Sequence, residues 1–120
     1  MTFPLSLLTR RALEVLGVLG AGQSVSAEDA ETIRTIATSV IAMLEARQVV
    51  SLSRELEDDA FSDELLLPLS VLIAYHSAPS FGLNATELIA LKLQADDAES
   101  DISSLMVTGR GEQSTPGMYF

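Results

Sequence analysis

The chain contains no cysteine and no tryptophan, one histidine (His76) and one lysine (Lys92). Without cysteine, a disulfide framework, a thiolate zinc site and a thiol nucleophile are all excluded. A lone histidine needs a positioned partner to act as a general base, and no nucleophile–base–orienter set is available to complete it. His76, beside Tyr75 in an apolar stretch, is therefore read as a core or interface histidine. Cationic side chains are scarce, with seven Lys and Arg against seventeen Asp and Glu and a net charge of −10. Phosphate backbones are gripped by cations, so specific nucleic-acid binding is not expected. Long apolar runs are missing too: residues 65–75 form the longest, it contains Pro68, and it falls short of the about 20 residues a bilayer span needs. The opening MTFPLSLLTRRALEVLGVLGAG places Arg10 and Arg11 after its apolar residues, and Glu14 interrupts it, so no secretory signal is expected.

What remains is oily for its size. Apolar residues make up 48% of 120 residues, enough for one domain with a single core. A small body has much surface to cover, so part of this apolar content is expected to meet other subunits.

Helical periodicity dominates. Ser6 is a candidate cap for a first helix reaching Leu19, with Leu8, Ala12, Val15, Leu16 and Leu19 on one stripe and Gly20 and Gly22 as the stop. Ser26 followed by Asp29 resembles a capping box and starts a second helix, where Ala30, Ile33, Ala37, Val40 and Leu44 step by three and four as far as Arg47. This regular helix is expected to be the spine of the molecule. Residues 48–52 (QVVSL) have β-propensity and read as a connection or an edge pairing between subunits, and residues 53–63 as an acidic loop. Ser62, with Asp63 and Glu64, is a candidate cap for a third helix over 65–78, tolerating Pro68 in its first turn. After a break at APSFG (78–82), Asn84 and Glu87 repeat the cap signature for a fourth helix reaching Leu105, with Leu88, Leu91, Ala95, Ala98 and Ile102 inward. The expected fold is all-α: a four-helix bundle of two helix hairpins over residues 1–107, followed by an extended C-terminal arm over 108–120.

That arm, TGRGEQSTPGMYF, combines glycines, a proline and apolar residues at its tip. Solvated tails gain nothing from exposed aromatics, so the segment reads as a docking arm. Gly109 and Gly111 are the expected hinge, Met118, Tyr119 and Phe120 the apolar anchors, and Arg110 a partner for an acidic surface. Elsewhere the chemistry is thin. Glu55, Glu57, Asp58, Asp59, Asp63 and Glu64 lack EF-hand spacing and the rigid placement of a hydrolase pair, and read as a solvated charge run. Gly109-Arg110-Gly111 is too short for an RNA-binding repeat, and Gly17, Gly20 and Gly22 lack the strand and lysine of a phosphate loop. No catalytic residue, metal or cofactor is expected, and the chain is not read as an enzyme.

The order of these elements resembles the head-to-tail adaptor (connector) proteins of tailed bacteriophages, in particular the tail accessory factors of short-tailed phages. The residues that carry the resemblance are LLTRRA at 7–12, LEVLGVLGAGQSVSAED at 13–29, Met43-Leu44 near the end of the second helix, and the closing APSFG at 78–82. Many such proteins place an aromatic residue after the second helix, where this chain has Ala46, Arg47 and Gln48. The resemblance implies a virion protein at the head–tail junction, present in the host cytoplasm during assembly. It implies a homo-oligomeric ring, usually of twelve copies, that binds the portal protein through its C-terminal segment and offers a platform to a tail nozzle or tail-tube protein. DNA would pass through the channel without specific binding, and the acidic balance would repel its phosphates. Two other readings use the same residues differently: a small helical protein-interaction module of a cellular regulator, with the tail as a peptide ligand, and a peptidoglycan hydrolase built on the acidic pairs.

Overall fold

Gly17, placed inside the first helix by the apolar stripe, is where that helix stops. In the computed structural model, which describes residues 1–20, 22–47 and 51–114 with side chains as far as Leu105, helix α1 spans Leu5–Val15. Gly17 takes φ 77°, its N–H donates to the Glu14 carbonyl (3.1 Å), and the Val18 N–H reaches back to the Leu13 carbonyl (3.1 Å). These two bonds form a Schellman motif, which requires a left-handed residue that glycine supplies without a Cβ penalty. Gly20 and Gly22 lie beyond the stop.

The start of α1 is also set differently. Pro4 occupies the N-cap position with extended geometry and offers no side-chain cap, and Ser6 lies inside the helix. The Leu5 N–H instead donates to the Asp59 Oδ1 at 2.7 Å, a residue 54 positions away. A carboxylate at a helix N-terminus satisfies an otherwise unpaired donor and meets the positive end of the dipole.

Residues 53–63 are structured rather than a loop. Helix α3 covers Ser53–Asp58, ends at Asp59 with φ 55°, and is followed by strand β2, Phe61–Ser62, and a 3-10 turn, Asp63–Leu65. Besides the Asp59 cap on α1, two further sets of contacts hold the segment. The Glu45 carboxylate of the second helix accepts hydrogen bonds from the Ser53 and Ser51 hydroxyls, which hold its pKa below the ordinary value in that order. Strand β1, Thr2–Phe3, pairs antiparallel with β2 in the register Thr2 to Ser62 and Phe3 to Phe61, and the two phenylalanine rings stack at 5.5 Å. Acidic charge gave no sign of either contact. Ser62 ends the strand and occupies the N-cap position of the 3-10 turn, but its side chain makes no cap hydrogen bond. Of the segment 48–52, residues 48–50 lie outside the described residues, and Leu52 is buried at the start of α3.

Asp59 thus does two things at once: it occupies a left-handed conformation and caps α1. Replacing it by Asn, which tolerates that conformation and keeps a side-chain oxygen, should change stability by less than about 0.5 kcal/mol. Asp59→Ala loses the cap and strains the turn, and should cost about 1–2 kcal/mol in urea unfolding. Equal losses for the two variants would refute the cap.

Helix α2 spans Ala27–Ala46, with the Ser26 Oγ accepting from the Asp29 N–H at 3.1 Å. Helix α4 spans Leu66–Ser77, with Pro68 in its first turn. A 3-10 turn, Ala78–Phe81, and a left-handed Gly82 lead into helix α5, Ala85–Ser114. Asn84 and Glu87 form a reciprocal capping box: the Glu87 N–H donates to the Asn84 Oδ1 (2.8 Å) and the Asn84 N–H to the Glu87 Oε1 (3.2 Å).

The fold is all-α apart from the two-residue strand pair. Helix α4, not α2, is its centre. Leu69, Ser70, Val71, Leu72, Ile73, Ala74 and Ser77 are all buried, and α4 packs against α1, α2 and α5. A helix apolar on every side belongs inside, whereas the single stripe of α2 (Ile33, Ala37, Val40, Ile41 and Leu44) marks an outer helix with one buried face. The buried Ser70 and Ser77 hydroxyls donate to the carbonyls of Leu66 and Ile73, so each polar atom is satisfied within the helix.

Helix α5 is longer than its apolar stripe. Among the described side chains Leu91, Ala95, Ala98 and Ile102 are its buried residues, and the helix continues to Ser114. Residues 108–114 therefore carry helical backbone where an extended arm was expected, and Gly109 and Gly111 lie within that span. Each glycine costs a helix about 1 kcal/mol relative to alanine.

Candidate functional site

Three parts of the surface carry residues that burial alone does not explain. The first comprises two apolar patches. Leu67, 72% exposed on α4, lies between Val15 of α1 and Leu105 of α5, where shallow grooves of about 300 and 340 Å³ meet. Ile89 and Leu93, 64% and 66% exposed, stand one turn apart on α5. At 100° per residue they point opposite to Leu91 and Ala95, whereas Leu105 lies on the flank of the buried stripe. The two patches therefore occupy different aspects of α5. The sequence reading missed both patches: Val15, expected on the inward stripe of the first helix, is exposed, and the available signals were the LLLPL run at 65–69 and the four-residue spacing of Ile89 and Leu93 outside the stripe of α5.

The second part is a polar corner at the end of α2. Arg47 reaches across to Glu99 of α5 at 3.2 Å, joining two helices 52 residues apart in sequence. The surrounding surface is polar, with Asp96, Ser100, Ser103 and Ser104 beside the pair. His76 stands nearby, exposed on the last turn of α4 and edge-on to Tyr75, its ring centroid 5.2 Å away. Packing of the ring, and then the Arg47 charge, hold its pKa below the ordinary value against an opposing pull from Glu99. His76 is thus an exposed residue rather than a core one.

The third part is a groove of about 350 Å³ between α1 and α2. Leu7, Val25 and Ala30 supply its apolar walls; Ser6, Thr9, Arg10 and Arg34 supply the polar groups. No local pattern in the sequence marks this groove, because its two sides come from separate helices.

Of the residues expected to bind a portal, Met118, Tyr119 and Phe120 lie outside the described residues, and Arg110 belongs to α5 with its side chain outside them. The acidic residues are spread over α3 and the turn that follows rather than gathered around one point. Among the described residues no group of three or more His, Asp or Glu side chains converges on a metal position, and no helix is long and apolar enough to cross a membrane.

The class defined at this point is an all-helical protein with unpartnered apolar patches. Comparison with protein-family models, with characterised proteins and with solved structures finds no match.

Proposed function

We propose that this chain is a structural adaptor whose copies form a ring joining a capsid portal to a tail and extending the DNA exit channel. The observation that carries the reading is the pair of apolar patches, Leu67 with Val15 and Leu105, and Ile89 with Leu93. Two different patches on one subunit suit a head-to-tail contact, in which one surface of a subunit meets another surface of its neighbour, and such contacts close into rings when the rotation permits. The resemblance of residues 7–29 and 78–82 to phage connectors supports the same reading. In this reading Arg110, Met118, Tyr119 and Phe120 make the portal contact, α5 carries them away from the body, and the net charge of −10 per copy keeps DNA from adhering to the assembly.

Electron microscopy of the chain mixed with portal rings should show an added layer with rotational symmetry. Leu67→Asp and Leu93→Asp alter exposed positions, so each should keep the wild-type circular dichroism while abolishing that layer. A wild-type chain that stays monomeric both alone and with portal would overturn the proposal.

A further inference from the structure

We infer that the ridge formed by Ile89 and Leu93 on one copy seats on the two grooves beside Leu67 of a second copy. The pairing rests on the ring proposed for this chain and names which of its surfaces meet. Apart from Met1, these three residues are the most exposed large apolar side chains among the described residues, at 64%, 66% and 72%. Their shapes match. Leu67 is the wall shared by two grooves of about 300 and 340 Å³, one bounded by Val15 and Arg11 and the other by Leu105, Glu64 and Asp101. Ile89 and Leu93 are one turn apart, with about 5–6 Å between their Cβ atoms. Two side chains at that spacing straddle a single one, as knobs and holes do between packed helices.

The charges beside the two surfaces also agree. Glu64 and Asp101 make no salt bridge among the described residues. Lys92, the only lysine of the chain, adjoins the ridge; its pair with Asp96 at 3.4 Å is more than half exposed on both sides, and such pairs hold little. On the other groove Arg10 and Arg11 share the single carboxylate of Glu14, which leaves positive charge in excess there. With Ile89 in the Leu105 groove and Leu93 in the Val15 groove, Lys92 meets Glu64 and Asp101, and Asp97, one turn beyond Leu93, meets Arg11. Leu67 set against Leu67 would instead bring Glu64 and Asp101 to their own kind, which like charge disfavours. The two surfaces also look apart. At about 100° per residue, Leu105 lies roughly 120–160° around α5 from Leu93 and Ile89, so a copy that gives its ridge to one neighbour keeps its Leu67 surface for the next.

Leu67→Asp and Leu93→Asp chains, mixed in equal amounts without portal and followed by sedimentation velocity, test the pairing. Leu67→Asp keeps the ridge and Leu93→Asp keeps the Leu67 surface, so the two together retain one intact contact. Each alone should sediment as a monomer, and the mixture should give a dimer with one copy of each that grows no further. Adding Lys92→Glu to the Leu67→Asp chain should weaken that dimer about tenfold, and adding Glu64→Lys with Asp101→Lys to the other chain should restore it. A dimer formed by either variant alone, a mixture that stays monomeric, or a charge reversal that restores nothing would each overturn the inference. A wild-type layer on the portal beside any of those results would leave the ring standing on other contacts. The mixed dimer without such a layer would overturn the ring and keep the pairing.

Discussion

Phe61→Ala is expected to cost about 3–5 kcal/mol, the usual loss for truncating a fully buried aromatic residue. Phe61 is 0% exposed and stacks on Phe3, itself 3% exposed, at 5.5 Å. The loss would spread beyond the cavity. The Thr2–Phe3 strand is too short to persist alone, and its pairing with Phe61–Ser62 depends on the two rings that anchor it. The Asp59 cap on α1 is two residues from the truncated side chain and would loosen with it. Since native domains retain only about 5–15 kcal/mol, the variant should unfold at much lower urea, read by circular dichroism at 222 nm. A loss below about 1 kcal/mol would show that the opening residues contribute nothing to the fold.

Ile73→Ala should be nearly as damaging, at about 2–5 kcal/mol. Ile73 is 0% exposed on α4, the helix packed against α1, α2 and α5, so no neighbour can close the cavity without moving another helix. The informative control sits six residues earlier on the same helix. Leu67 is 72% exposed, and Leu67→Ala should change the stability of the monomer by less than about 0.5 kcal/mol. Comparable losses at the two positions would mean that α4 is not central, because both truncations change an apolar residue in the same helix.

Local signals in the sequence were read where the relevant atoms lie within a turn of one another. Ser26 and Asp29, and Asn84 and Glu87, form their caps as the spacing predicts, and Ile33, Ala37, Val40 and Leu44 face inward. The same signals misled where two local candidates competed. Gly17 was passed over in favour of Gly20 and Gly22 because the apolar stripe runs on to Leu19, although only the left-handed turn at Gly17 closes the Schellman bonds. The clearest apolar stripe predicts α2 as the spine, but α4 lies at the centre. A clear stripe means one wet face, so the helix without a polar face took the centre instead. Of the candidate site, the exposed leucines and isoleucine could be read from spacing, whereas the Thr9 groove could not, since its walls meet only when α1 packs on α2.

The sequence by itself determined that the chain is helical, where α2 and α5 begin and which of their faces turn inward, and that thiol chemistry is out of reach. Capping and amphipathic periodicity act over three or four residues, and those distances are written directly in the order of side chains. The tertiary structure alone decided that Asp59 caps Leu5 across 54 residues, that Phe3 finds Phe61, that Arg47 finds Glu99, and that Thr9, Arg10 and Arg34 line one groove. Each of these contacts joins segments distant in sequence, and what brings them together is the burial of apolar faces around α4. That burial is non-directional, so it leaves no local mark on the partners it selects.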